Sequence, residues 1–377
     1  MHLHVVAFNV PWPPDYGGII DAYYRLVALH NAGVHIHLHA FTYGRPPAPE
    51  LEQLCDHVHY YRRNTSPLLL LKSTPYIVSS RDSDELVRDL DADDYPILLE
   101  GLHCTALLRS PLLARQPSRT IIVRAHNIEA DYYALLSRSE RNPFRRLHLA
   151  VESTKIRRYE PTLALASAVL AVSEADRDKL FAIGCRNVVV ETSSHPYSTV
   201  TSLTGRGTYA LYHANLSIPE NYRAAQHLIS IVPASVSLLI AGHQPPNWLL
   251  QLARRHNNVT IVSDPDQETM QKLIQQAQVN ILFTHQPTGL KLKLLNSLFS
   301  GRHCLVNSHM VAGTPFGPAC TIADSNEQLQ QSLLRLMQTD FTEQQLQQRI
   351  QLLKPHTLPN TIQPLLALFS EQLKNNS

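Results

Sequence analysis

Apolar and polar positions alternate along the chain in two textures. Short runs rich in Val, Ile, Leu and aromatic residues read as strands, and the stretches between them, with apolar residues every three or four positions, read as helices. In the first half the strand runs are LHVVAFNV, VHIHLHAF, VHYYR, YPILLEG, TIIVRAH, AVLAVS and NVVVET. In the second they are YALYHAN, VSLLIAGH, VTIVSD, VNILFTH, HCLVN and CTIA. Strands alternating with helices predict βαβ units built on parallel sheets. Between the halves, TSSHPYSTVTSLTGRG (192–207) has turn-forming composition and no helical periodicity.

These patterns predict an α/β protein of two doubly wound, Rossmann-like domains facing across a cleft. The first spans 1–194, a linker occupies 195–207, the second spans 208–354, and a C-terminal helical segment occupies 355–377. NEQLQQSLLRLMQ and EQQLQQRIQLL read as amphipathic helices. The pairs Lys354-Pro355 and Leu358-Pro359 interrupt that run before a last helix near 361–374.

Length agrees with two domains, since 377 residues exceed the usual single-core size. Charge adds an exclusion. With 33 Lys and Arg against 31 Asp and Glu, there is no global field to draw the chain to nucleic acid, and an anionic ligand must be bound locally. The five cysteines, Cys55, Cys104, Cys185, Cys304 and Cys320, lack the spacings of a zinc site or a disulfide framework and read as reduced thiols. The N-terminus lacks the basic start and apolar run of a signal peptide, and no run reaches the roughly 18 to 20 apolar residues of a membrane span, so the cytoplasm is expected. No strongly basic amphipathic helix stands out in the sequence.

Open parallel sheets bind ligands beyond the carboxyl ends of their strands. The polar residues there are Asn9, Glu100, His103, His126, Asn127, Ser173, Asn215, His285 and Asn307. Gly17 and Gly18 precede the first helix, where bare backbone N–H groups suit a phosphate or sugar, although a lone Gly-Gly is weak evidence and a plain turn is the simpler reading. RAHNIEADYY packs Arg124, His126, Asn127 and Glu129 into a strand end; it reads as a site or as the cap of the next helix. ESTKIRRYEP reads as a solvated helix with Glu152–Lys155 spacing. His35, His37 and His39 share one face of a strand but have no Cys or acidic neighbour at ligand spacing, so no metal is expected. Lys291 and Lys293, at the head of the helix in TGLKLKLLNSLFSGRHCLVN, add positive charge to a positive helix end and suit an anion, with a solvated helix face as the alternative.

The ordered set PWPPDYGG, RAHNIEADYY, ESTKIRRYE, ASAVLAVSEAD, YHANLSIPEN and TGLKLKLLNSLFSGRHCLVN resembles family-4 glycosyltransferases, in particular a group found in Bacteroidetes. The resemblance covers most of the chain. It implies a GT-B fold and retaining, metal-independent transfer from a nucleotide-diphosphate sugar, used as co-substrate with no further cofactor, to a glycan or lipid-linked acceptor. Contact with a membrane periphery would follow from a lipid-linked acceptor. It further implies that His126 and Lys293 are catalytic and that Gly17, Gly18, Asn215, Thr288, Gly289 and Asn296 bind the donor; Lys291 joins the donor side only by its nearness to the helix start. Tyr16, Asn127 and Glu129 fall on the acceptor side, and Gly301 ends the donor helix. Thr288 and Asn296 stand where the family commonly has two glutamates, and the usual basic pair after the first strand of the second domain is reduced to Arg223. A non-catalytic sugar-nucleotide-binding protein and a sugar-nucleotide epimerase are the alternative functions.

Overall fold

The computed structural model describes residues 1–111, 115–140, 142–284 and 291–375, with side chains through 370. Two compact units result, one of residues 1–196 with 358–377 and the other of 197–357.

The first unit is built on a seven-stranded parallel sheet in the order β3-β2-β1-β4-β5-β6-β7. Its strands are β1 (His2–Ala7), β2 (His35–Thr42), β3 (His57–Arg62), β4 (Ile97–Glu100), β5 (Ile121–Ala125), β6 (Ala168–Ala171) and β7 (Val188–Val190). Alternation along β1 sends Leu3, Val5 and Ala7 into one core and Val6 into the other, as a sheet covered on both faces requires. Helix Gly17–Asn31 adds Leu26 and Leu29 to the first of these cores. Leu358, Ile362, Leu365, Leu368 and Phe369 complete it, so the C-terminal segment belongs to the first unit.

The second unit repeats the scheme with six parallel strands in the order β10-β9-β8-β11-β12-β13. They are β8 (Ala210–His213), β9 (Leu238–Gly242), β10 (Val259–Ser263), β11 (Val279–Leu282), β12 (His303–Val306) and β13 (Thr321–Ile322). In both sheets the order turns back beside the first strand, at β1/β4 and at β8/β11. Crevices at such switch points receive ligands in open α/β sheets.

Two local readings change. The ESTKIRRY part of that segment lies in helix Pro143–Tyr159, but it is not a solvated face throughout: Glu152, Ser153, Ile156 and Tyr159 are buried. Glu152 accepts from the Tyr76 backbone N–H at 2.7 Å and from Lys155 Nζ at 2.9 Å. The histidine strand has more company than its own sequence shows. His2, His4, His57 and His59 align beside His35, His37 and His39 across β1, β2 and β3. His4 Nδ1 lies 2.8 Å from His39 Nε2, His4 Nε2 2.9 Å from Asp93, and His39 Nδ1 2.7 Å from the Tyr61 hydroxyl, so these rings satisfy one another.

Candidate active site

In the first unit, six ionisable side chains meet at the carboxyl end of the sheet. Helix Gly17–Asn31 presents Asp21 and Arg25 one turn apart, β4 ends in Glu100, β5 carries Arg124 with His126 just beyond it, and Glu191 follows β7. All are buried. Arg25 Nη2 donates to both Asp21 oxygens at 3.0 Å, its Nε to Glu100 at 2.8 Å, and its Nη1 pairs with Glu191. Arg124 Nε donates to Asp21 Oδ2 at 3.0 Å and its Nη1 to the Glu191 carbonyl at 2.6 Å. His126 lies between carboxylates, Nδ1 3.1 Å from Asp21 and Nε2 3.0 Å from Glu100. Neither ring nitrogen is aligned well enough for a hydrogen bond, so these contacts are charge pairs.

Three carboxylates face two guanidiniums and one imidazole, and the cluster is neutral when His126 is protonated. Burial opposes that proton, but Asp21 and Glu100 outweigh it and hold the His126 pKa above its ordinary value. The same balance depresses Asp21, where burial is overcome by Arg124 and Arg25, and Glu100, where it is overcome chiefly by Arg25. A buried ionic set of this kind fixes side-chain positions more than it adds stability.

Asp21, Glu100 and His126 also have ligand atoms within 4.8 Å of one another, the spacing of a metal site. Asp21 is already fully engaged, whereas Glu100 Oε2 and both His126 nitrogens make no hydrogen bond among the described residues. Asp21 Oδ1 accepts from the Ser194 N–H at 2.6 Å and from Arg25, and Oδ2 accepts from Arg25 and Arg124. A divalent cation bound through Asp21 would have to displace a guanidinium.

Around this cluster stand the other expected residues of the first unit. Gly18 passes close under Phe8, where a Cβ would lie 3.1 Å from the ring. Phe8 meets His126 edge-on with ring centres 5.7 Å apart and stacks on His103 at 5.1 Å. Helix Gly17–Asn31 has no side-chain cap and no acidic residue in its first turn; exposed Tyr16 is its cap residue, with the Arg45 guanidinium 5.2 Å over its ring. Asn127 does not cap the next helix, Glu129–Ser139, whose cap residue is Ile128. Glu160 does that work from 30 positions away, accepting from the Ala130 N–H at 3.0 Å. The carboxyl of Glu129, two positions beyond Asn127, is pushed up to about 7, chiefly by burial.

In the second unit, Lys293 lies in the first turn of helix Leu292–Ser300, beside the β8/β11 switch point. Its Nζ donates to Asn221 Oδ1 at 3.2 Å, and Asn221 Nδ2 donates to the Asn215 carbonyl at 2.8 Å, which ties the lysine to the loop after β8. That loop is pressed against the end of β9, where a Cβ on Gly242 would collide with the Ala214 carbonyl. Thr284 Oγ1 donates to Glu220 at 3.2 Å, and Asn307 Nδ2 donates to the Thr284 carbonyl at 2.7 Å. Burial lowers the Lys293 pKa, with Glu220 opposing. Beside it His213, pushed down to about 3 by burial and by Lys293, is neutral and lies 3.2 Å from Ser297 Oγ. Lys291 is the uncapped cap residue of the same helix. Asn296 Oδ1 is buried and has no hydrogen-bond partner among the described residues.

The structure thus gathers Asn215, Lys291, Lys293 and Asn296 at one switch point, and His126, Gly18 and Glu129 near the other. Thr288 and Gly289 lie outside the described residues. His126 lies at the carboxyl end of the first sheet, with one ring nitrogen facing Asp21 and the other Glu100. Sequence reasoning missed Asp21, Arg25 and Glu191. The signal for Asp21 and Arg25 was two opposite charges four apart on the apolar face of GGIIDAYYRLVALHN. A cavity of about 740 Å³ in the second unit is lined by His303, Cys304, Cys320 and Arg349 among others, toward the amino end of β12.

No protein-family model matches the chain. An uncharacterized 44.6 kDa protein of the cps region of Klebsiella pneumoniae is 22% identical over 349 residues, covering 86% of each chain. Solved structures of similar fold include Anabaena Alr3699/HepE in complex with UDP and glucose, at TM-score 0.61 and 12% identity over 99% of both chains. The lipopolysaccharide outer core galactosyltransferase WaaB superposes at TM-score 0.62 with 11% identity, and the sucrose-phosphate synthase of Thermosynechococcus elongatus at 0.63 with 14%, each over the whole of both chains. With its paired seven- and six-stranded Rossmann-like sheets, the chain has the GT-B fold.

Proposed function

We propose that the protein is a retaining glycosyltransferase of the family-4, Bacteroidetes-type group. It moves a sugar from a nucleotide-diphosphate sugar to a glycan or lipid-linked acceptor in the cytoplasm, without a resident metal. The observation that carries this reading is Lys293, an ammonium withdrawn from water at the switch point of the second unit and bonded there to neutral Asn221. A diphosphate is the anion that such a place suits. As the sugar departs, negative charge grows on the diphosphate, and Lys293, Lys291 and the uncapped start of helix Leu292–Ser300 stabilise it. Asn296, with its orphaned Oδ1, accepts from a donor hydroxyl in place of the family's glutamate. Gly17 and Gly18 complete the donor side, Tyr16, Asn127 and Glu129 serve the acceptor, and His126 positions the strand ends of the first unit. Solved structures of similar fold were determined with UDP and with UDP-glucose, which favours a uridine nucleotide among the donors to try first.

The test compares nucleoside diphosphate and nucleoside binding in Lys293→Ala and Lys291→Ala. Loss of one charge-assisted contact predicts that Lys293→Ala weakens the diphosphate by about ten- to a hundred-fold and Lys291→Ala by less, with the nucleoside unchanged. Diphosphate binding unchanged in both variants would sink the assignment. Turnover separates the other functions. A binding protein holds the donor without consuming it, an epimerase converts it with no acceptor present, and the transferase proposed here works in EDTA.

A further inference from the structure

The first unit carries an exposed apolar stripe that its fold does not use. Helix Pro143–Tyr159 buries Glu152, Ser153, Ile156 and Tyr159, yet it also places Phe144, Leu147 and Val151 on another side at i, i+3 and i+7. Phe144 is 83% exposed and Leu147 64%. The short 3-10 segment Pro67–Leu71 is anchored by buried Leu69 and holds Leu68 and Leu71 outward at 71% and 85% exposure. These two elements form one surface. Lys155 Nζ donates to the Leu70 carbonyl at 2.7 Å, and a cavity of about 550 Å³ is lined by Leu71, Lys72, Val151, Lys155 and Arg158.

Positive charge predominates on the helix. The helix carries five Arg or Lys against a single Glu, and that Glu152 is buried and paired with Lys155. Arg157 meets Asp131 at 3.4 Å. Among the described residues, no carboxylate lies within ion-pairing distance of Lys72, Arg145, Arg146 or Arg158.

We propose that Leu68, Leu71, Phe144, Leu147 and Val151, with Lys72, Arg145, Arg146 and Arg158 among them, dock the protein on an anionic lipid bilayer. Apolar tips interleaved with unpaired cations fit the boundary between acyl chains and anionic headgroups, where both are satisfied together. A protein partner would need acidic groups and apolar hollows alternating in matching register, whereas a fluid lipid surface supplies both without a fixed register. The surface identifies the partner that a lipid-linked acceptor would require, but vesicle binding is read with no donor or acceptor present, so its failure would leave the transfer reading untouched.

Co-sedimentation with vesicles tests it. The parent should pellet with phosphatidylglycerol–phosphatidylcholine vesicles and not with phosphatidylcholine alone, and the binding should fall as salt rises. Leu71→Ser, Phe144→Ser and Leu147→Ser combined should weaken vesicle binding by more than about ten-fold at an unchanged melting temperature, because these side chains already face water. Arg145→Gln with Arg146→Gln should weaken it by about five-fold per charge removed. Failure of the parent to bind anionic vesicles at low salt would overturn the proposal. So would serine variants that bind as tightly as the parent, since adsorption would then be charge alone. A parent that dimerises through this patch and ignores vesicles would make a second copy the occupant and overturn it as well.

Discussion

Arg25 touches three carboxylates and no solvent, so its removal exposes what the cluster balances. Arg25→Ala leaves Asp21, Glu100 and Glu191 buried against too little positive charge, and we expect a loss of about 3 to 5 kcal/mol, read from the shift in urea midpoint. His126 is held above its ordinary value by Asp21 and Glu100. A histidine with a raised folded pKa stabilises the fold fully below its unfolded value of about 6.5 and loses that contribution as pH rises through the folded value. Its ring proton resonances should therefore titrate above the usual midpoint, and His126→Gln should flatten the decline in stability over that window; a midpoint at or below the ordinary value would refute the charge-pair assignment. Gly301, expected from family resemblance to end the donor helix, does so for an unexpected reason. Its φ of −88° suits any residue, but a Cβ there would collide with the side-chain amide of Asn280 on β11. Gly301→Ala should cost about 1 to 3 kcal/mol by overpacking, with no change in the conformation of the turn required.

At the scale of elements, the aligned histidines of β1, β2 and β3 make the first sheet sensitive to acid. Burial pushes His39 down to about 2 and lowers His4 and His37, while His213 in the second unit is pushed down to about 3. A depressed histidine binds its proton in the unfolded chain first, so stability is intact above about pH 6.5 and falls as pH drops below it. Between pH 7.5 and pH 5, His39 and His213 should each account for about 2 kcal/mol of lost stability. His39→Gln should reduce the acid shift in melting temperature, and an unchanged shift would acquit the ladder. The central strands β4, β5, β6, β8, β11 and β12 were legible because each is a short apolar run buried on both faces, whereas the edge strands β3, β10 and β13 are partly exposed and show only their β-rich composition. The partnership of β1, β2 and β3 was not, because cross-strand pairing of His4 with His39 depends on register between segments 35 positions apart. A separation of 30 positions likewise hid Glu160 as the cap at Ala130. Lys293 was legible because its neighbours in sequence mark a helix start. Helix Pro143–Tyr159 concealed its outer stripe: apolar spacing normally marks a core face, and here it marks the side turned to water.

For the molecule as a whole, the division at 196/197 leaves the first unit discontinuous in sequence. Removing residues 358–377 strips Leu358, Ile362, Leu365, Leu368 and Phe369 from a core shared with Leu3, Val5, Leu26 and Leu29. Deletion should therefore lower the melting temperature of the first unit sharply and leave residues 197–357 folded, which limited proteolysis of the truncated chain would reveal as a surviving fragment. A truncated chain that melts like the parent would show the segment to be dispensable. Discontinuity also sets a timetable during translation. The ribosome releases 1–196 first, then all of 197–357, and only afterwards the residues that close the first core. The unit begun earliest is the last to be finished, and while the second is being made, the apolar face around Leu26 and Leu29 must wait uncovered, a natural place for a chaperone to hold the nascent chain.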